Sequence, residues 1–246
     1  MLVPAVALAL AVALAAAAEP AQPARPPPVW TPLGRGVEHL AVAQGEIEGH
    51  AFRFRPSDVE LRIVPAPEGR ADVSELTPAG DVIATNASFF DEAGKAMGLT
   101  FDRGRSLAGP RLVKWGAFVV EGGRARIVRG AEIRDPGADA LVVQGLPRLV
   151  IHGDVPKLKA QRAARTAVCT ESGRVVLVVT TSRVDTTEFA RFLAAPAAAG
   201  GLGCEDALNL DGGPSTQLAA RWGGFDAQVE GGWPVPNALV VAPKAR

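Results

Sequence analysis

The sequence predicts a single α+β domain: a mixed, largely antiparallel β-sheet core with a few flanking helices. Three observations carry this. Apolar residues alternate with charged ones in Val59-Glu60-Leu61-Arg62-Ile63, the period of a half-buried strand. Short apolar runs recur between Gly-containing turns such as Asp102-Arg103-Gly104 and Glu121-Gly122-Gly123, which is the spacing of hairpins. One stretch alone, from Asp185 to Pro196, carries a full set of helix signals.

Residues 1–18 read as an export signal. Leu2 to Ala18 are almost entirely Ala, Val and Leu, and Ala16-Ala17-Ala18 ahead of Glu19 has the small side chains of a cleavage site. Its amino-terminal charge is limited to the Met1 amine. An uncleaved anchor is the rival reading, since the run approaches the ~20 residues that span a bilayer. Residues 19–36, with Arg25-Pro26-Pro27-Pro28, read as a Pro- and Ala-rich tether that extends without packing a core. The folded domain is expected over 37–246.

Within it, Leu40-Ala41-Val42 and Ile47 to Phe54 open the domain, joining Val59 to Ile63 in two or three antiparallel strands. Val73-Ser74-Glu75-Leu76 is expected as a short helix and Val82 to Asn86 as a buried strand. Gly98 to Gly104 and Trp115 to Val128 follow as hairpins. Leu141 to Gly153 is a mainly apolar run in which Arg148 follows Pro147, whose ring can hold it rigidly. Ala167-Val168-Cys169 and Val175 to Val179, joined through Gly173, read as central strands. Asp185 is placed to cap a helix and Glu188 to complete a capping box, while Phe189, Phe192 and Leu193 form one apolar stripe for the core. Leu208 to Asp211 and Trp233 to Val241 close the sheet. A second short helix is expected through Gln217-Leu218-Ala219-Ala220-Arg221, capped by Ser215 or Thr216.

Chain-wide properties exclude several functions. The 246 residues suit one sizeable core, and 26 basic residues balance 26 acidic ones. Bulk charge therefore selects neither nucleic acid nor, in the mature form, a membrane surface. Cys169 and Cys204, the only cysteines, permit a disulfide in an exported chain; two buried free thiols are the alternative. His39, His50 and His152 are scattered, so the two cysteines have no histidine cluster with which to form a zinc site. Ser215 lies outside any Gly-x-Ser-x-Gly elbow, which disfavours a serine hydrolase.

The segment Ala207-Leu208-Asn209-Leu210-Asp211-Gly212-Gly213-Pro214-Ser215-Thr216 is the most chemically loaded. In an extended chain Leu208 and Leu210 face a core while Asn209 and Asp211 share the other side. The glycines that follow allow positive φ and a turn whose amides meet an anion. The alternative is an ordinary Asp-Gly turn closing a buried strand. A divalent cation would suit a carboxylate and phosphate oxygens, but no spacing requires one and no cofactor is expected.

In order along the chain, Asn86-Ala87-Ser88-Phe89-Phe90, Gln144 to Gly153, Arg165-Thr166-Ala167-Val168, the helix from Thr186, Leu208 to Thr216 and Pro234-Val235-Pro236-Asn237-Ala238 together resemble the phosphodiester glycosidase family, with likeness running from about Val82 to Val241. Family members commonly read Asn-Gly-Gly-Tyr-Phe at the first motif and Asp-Gly-Gly-Gly-Ser-Ser at Asp211 to Thr216, where this chain has Pro214 and so one backbone donor fewer. The resemblance implies an exported hydrolase of sugar-1-phosphodiesters in envelope or extracellular glycan. A phosphate monoester leaves readily, so electrostatic stabilisation can take over most of the work of a second carboxyl group. On this reading Asp211 is base or nucleophile at the anomeric carbon. Arg165 with Thr166, and Arg148, hold the phosphate. Gly212 and Gly213 amides with Ser215 or Thr216 complete a cradle, and Asn86 and Asn209 orient sugar hydroxyls. The alternative functions are a non-catalytic exopolysaccharide-binding or processing module with the same cleft, and a structural envelope protein.

Overall fold

The computed structural model describes residues 26–111 and 114–244. The signal segment and the first part of the tether, residues 19–25, lie outside them. The architecture is mainly β rather than the balanced α+β expected. Among the described residues there is one α-helix, Thr186–Ala194, together with four 3-10 turns, and every strand pairing is antiparallel.

Three sheets carry the fold. The largest has seven strands in the order Thr31–Gly34, Val37–Gln44, Ile47–Phe54, Arg174–Thr180, Thr166–Glu171, Asp206–Asn209 and Arg148–Val150. A five-stranded sheet places Val82–Asn86 at its centre, between Leu218–Trp222 and Asn237–Pro243. A second five-stranded sheet centres on Leu141–Gly145, flanked by Gly116–Glu121 and Thr100–Asp102.

The side-chain period explains how one sheet serves two cores. Val175, Leu177 and Val179 join Phe52, Phe54, Val168 and Leu208 in a core shared with the other two sheets, where they meet Ile83, Leu239, Phe118 and Val143. Val176, Val178, Ala51, Ala167 and Cys169 point the opposite way, under the helix residues Phe189, Phe192 and Leu193. A strand buried on both faces reads as a continuous apolar run, as Val175 to Val179 does. The helix begins as expected: Asp185 accepts from the amides of Thr187 at 2.8 Å and Glu188 at 3.3 Å, satisfying two otherwise free donors.

Four expectations change. Structure begins before Val37, because Thr31–Gly34 pairs with the next strand and the Gly34 carbonyl accepts from Trp222 Nε1 at 3.1 Å. Val59–Pro65 crosses to the five-stranded sheet instead of joining the opening strands. The closing strand is Asn237–Pro243, and Trp233 lies before it, 55% exposed. The helix expected over 217–221 is the strand Leu218–Trp222. Its Ala, Leu and Arg favour a helix intrinsically, but Leu218, Ala220 and Trp222 are buried at 1%, 2% and 1% while Arg221 is exposed, a period of two. A Gly223-Gly224 turn pairs it with Phe225–Val229.

Cys169 and Cys204 are joined, closing a span of 35 residues between a central strand and the segment entering Asp206–Asn209. Loop-closure entropy for such a span corresponds to about 3–4 kcal/mol. Replacing both cysteines with Ala is expected to lower unfolding free energy by about that amount, read as a drop in urea midpoint, with m rising as the uncrosslinked denatured chain exposes more surface.

Candidate active site

The strand Asp206–Asn209 lies between Thr166–Glu171 and Arg148–Val150, and its carboxyl end runs into Leu210 and Asp211. Each flank supplies one wall of a cleft. On one side the cis peptide Leu146–Pro147 precedes Arg148, and the Pro147 carbonyl accepts from Asn209 N at 3.0 Å. Gly145 makes this approach possible, because a Cβ there would stand 2.3 Å from the Asn209 carbonyl oxygen. On the other side Ala164 accepts from Gly213 N at 2.8 Å and Thr166 from Leu210 N at 2.9 Å. Between the flanks opens a cavity of about 780 Å³, within the range of small-molecule sites. Phe89, Leu146 and Pro147 give it an apolar side; Gln161, Arg162, Arg165 and Arg183 give it a cationic one; Asn209, Asp211, Gly212, Gly213 and Pro214 complete the lining. Phe89 is held edge-on against Trp115, their ring centres 5.4 Å apart.

Asp211 is fixed through its backbone. Its amide donates to the Ala87 carbonyl at 3.2 Å and its carbonyl accepts from Asn86 Nδ2 at 2.6 Å. Its Oδ1 accepts from Gly212 N at 2.9 Å, and Oδ2 is buried with no hydrogen-bond partner. Burial raises the carboxyl from its ordinary value of 3.8 to about 6, against the opposing pull of the nearby Ser215 hydroxyl and the Gly212 amide. The Ser215 hydroxyl approaches without completing a hydrogen bond to Oδ2.

Arg165 is 4% exposed. Its Nη2 donates to the Gln161 carbonyl and to Thr186 Oγ1, which ties the Gln161 segment to the first turn of the helix, and its Nε is buried without a partner. Burial pushes its pKa down while Asp185 pulls it back up. Asn209 donates through Nδ2 to the Leu146 and Leu210 carbonyls, which fixes the amide and leaves Oδ1 as a buried free acceptor. Thr216 Oγ1 is also buried and unpartnered. Arg165 Nε, Asn209 Oδ1, Asp211 Oδ2 and Thr216 Oγ1 are thus four of the five buried side-chain atoms left without a partner among the described residues. Unpaired buried groups cost about 1–3 kcal/mol each, so their concentration at one strand end marks a place where stability yields to something else.

Asp211, Arg165, Asn209, Gly212 and Gly213 therefore share one cavity. Other expected site residues do not face it. Asn86 is fully buried beneath Asp211, its Oδ1 accepting from Thr166 Oγ1 at 2.7 Å, Gln217 N at 3.1 Å and Thr85 Oγ1 at 3.2 Å. With no exposed surface it cannot orient sugar hydroxyls, and Thr166, equally buried, is its partner. Arg148 pairs with Asp206 at 2.9 Å and lies outside the lining. The Gly-Gly turn is not an open anion nest: the Gly212 amide serves Asp211, the Gly213 amide serves Ala164, and Pro214 has none. Gly213 does take positive φ, +62°, but Gly212 is extended at −149°. Ser215 is buried beside Asp211, off the lining. Sequence reasoning passed over Gln161, Arg162 and Arg183 in the lining. The pairing of Arg162–Ala163 with Val184–Asp185 brings them there, and no local pattern announces a two-residue ladder. His39 and His50, on adjacent strands of one hairpin, have ring nitrogens 3.0 Å apart, outside the lining.

Fold and cleft define a class: a mainly β protein of antiparallel sheets with one acid and one buried arginine at the ends of neighbouring strands. The chain belongs to the phosphodiester glycosidase family, which it matches over residues 79–242. It is similar to the zebrafish N-acetylglucosamine-1-phosphodiester alpha-N-acetylglucosaminidase catalytic domain, auto-inhibited by pro-peptide, with a TM-score of 0.60, 16% identity, and coverage of 92% of this chain and 86% of that one. A hypothetical protein from Synechocystis gives 0.59 and 16%, covering 89% of this chain and 64% of that one, so the chain spans under two thirds of that relative. A Burkholderia pseudomallei protein described as exported gives 0.52 and 15%, covering 80% and 74%. At such identities the likeness is one of fold. Among curated proteins none matches the chain.

The raised carboxyl has a direct consequence for stability. Below about pH 4 Asp211 is protonated in both folded and unfolded chains and burial costs it nothing; as pH rises through about 6 the folded protein must hold the ion, and stability falls. Asp211→Asn removes this cost. The variant is expected to gain up to about 3 kcal/mol at pH 7.5, since one pKa unit is about 1.4 kcal/mol, and almost nothing at pH 3, in paired urea titrations.

Proposed function

We propose that this protein is an exported hydrolase that cleaves a sugar-1-phosphodiester, of the N-acetylglucosamine-phosphodiester kind, in envelope or extracellular glycan. The observation that carries the reading is the meeting of Asp211 and Arg165 in one cavity, the carboxyl raised to about 6 and each group buried at a free energy cost. Family membership adds the substrate class, carbohydrate phosphodiesters. The disulfide accords with an oxidising compartment outside the cytosol. Among the described residues no helix is long and apolar enough to cross a membrane.

The sugar lies against Phe89, Leu146 and Pro147, whose apolar surfaces suit the C–H face of a pyranose. Asn209 Oδ1 accepts from a sugar hydroxyl or N-acetyl N–H. The phosphate lies toward Arg165, whose unpartnered Nε supplies a charge-assisted donor. Nη2 is committed to Gln161 and Thr186, so it cannot join Nε in the two-pronged clamp expected from sequence. The bond that breaks joins the anomeric carbon to the phosphate oxygen, and the electron pair leaves with the phosphate monoester. Asp211, ionised above pH 6, takes the proton of the attacking water or itself bonds to the anomeric carbon for a second, hydrolytic step. Asn86 and Thr166 are positioning residues that hold the Asp211 backbone.

A second reading, a non-catalytic exopolysaccharide-binding or processing module, uses the same cleft without turnover. One comparison separates the two. On N-acetylglucosamine 1-(methyl phosphate), Asp211→Asn is expected to lose turnover by about three or more orders of magnitude, the scale of losing an essential group, while still binding the ester. Retained turnover in that variant removes the assignment, and absent turnover with tight binding in the parent protein selects the module. The parent kcat/KM is expected to rise with pH through about 6, the value at which Asp211 ionises.

A further inference from the structure

The cavity lining holds two arginines besides the one assigned to the phosphodiester. Arg162 and Arg183 line it with Arg165, and Asp211 is the one carboxylate among its described lining residues. Arg162 is partly committed: its Nη1 lies 2.7 Å from Glu46 Oε2 in a solvent-exposed pair. Arg183 has no carboxylate within 4.0 Å among the described residues. Its Nη2 donates to the Arg162 carbonyl at 3.2 Å, and Arg162 Nη2 returns a bond to the Arg183 carbonyl at 3.1 Å.

The chain that presents Arg183 is pinned. Thr181 N donates to the Glu48 carbonyl at 2.8 Å, Ser182 Oγ donates to the Glu46 carbonyl at 2.8 Å and accepts from Glu48 N at 3.0 Å, and Val184–Asp185 pairs with Arg162–Ala163. A solvated surface arginine requires no such anchorage. Here an exposed guanidinium with spare donors is set on a fixed backbone beside a buried one.

We infer that Arg183, with Arg162 beside it, forms an outer anion subsite that reads a second negative charge on the leaving side of the substrate. The substrate class is then a polyanionic glycan, in which the group released from the anomeric carbon carries a further phosphate or carboxylate. This deepens the hydrolase reading and rests on it for direction, because Arg162, Arg165 and Arg183 occupy the flank given to phosphate, opposite Leu146–Pro147. The bland alternative is a solvated pair of arginines that contributes only to solubility.

The test compares the full chain with its Arg183→Gln variant on three N-acetylglucosamine 1-phosphodiesters: a methyl ester with one charge, and two esters whose alcohol part bears a terminal phosphate or a terminal carboxylate. At low salt the parent is expected to prefer the doubly charged esters, and Arg183→Gln to lower their kcat/KM about tenfold, the order of one charge-assisted hydrogen bond. The methyl ester should change by less than about twofold, and the preference should shrink as added salt screens exposed charge. Loss only with the terminal phosphate, or only with the carboxylate, names the anion. Equal loss on all three esters, or no parental preference, overturns the inference. Calorimetric titration of Asp211→Asn with the doubly charged esters keeps the two proposals apart. If the parent hydrolyses none of the esters yet Arg183→Gln weakens this binding about tenfold, the subsite stands and the hydrolase reading falls.

Discussion

The site depends on one buried amide. Asn86 ends the central strand of the five-stranded sheet, and its side chain meets four groups: Asp211 O, Thr166 Oγ1, Gln217 N and Thr85 Oγ1. Two of these, Asp211 and Thr166, belong to the seven-stranded sheet or the segment continuing it, so the amide pins two sheets at the point where the acid emerges. A carboxamide can do this because it has both donors and an acceptor with two lone pairs. An apolar side chain would leave the Gln217 amide and Thr166 hydroxyl without their partner in a water-free place, which costs more than the lost contacts alone.

Above that pin, the physics of burial sets the chemistry. The seven-stranded sheet is covered on both faces, so the open ends of its central strands are where a polar group can reach a cleft without disturbing a core. Neighbouring strands supply the walls: Leu146–Pro147 on one side and Ala164–Arg165 on the other. Withdrawal from water disfavours charge on both Asp211 and Arg165, raising the first pKa and lowering the second. The two shifts have the same cause with opposite sign. A site built this way holds both groups at a cost in solvation.

How the turn after Asp211 is used shows the limit of motif reading. Asp211-Gly212-Gly213 suggests an amide nest, yet one amide is taken by the aspartate itself and the next by Ala164. Gly212 serves close packing instead, since a Cβ there would stand 3.0 Å from the Ala164 oxygen, and Gly213 serves the turn through its positive φ. The cationic groups lining this cavity are arginine side chains. Arg148, equally suggestive after Pro147, is neutralised by Asp206 on the strand beside it.

By itself the sequence determined what periodicity and local chemistry can encode: most of the strands, the Asp185-capped helix, and the placing of Asn209 and Asp211 on the side of their strand away from Leu208 and Leu210. These follow from repeats of two and 3.6 and from capping, all readable over a few residues. Tertiary structure alone decided the rest. Leu218–Trp222 became a strand because Val82–Asn86 and Phe225–Val229 lay ready on either side, overriding the helical preference of Leu-Ala-Ala-Arg. Asn86 went beneath the site, Arg148 went to Asp206, and Arg162 and Arg183 came to the cavity, because each outcome depends on partners 21 to 125 residues away. Contacts at that range are chosen by how sheets stack, and no local pattern in the chain records them.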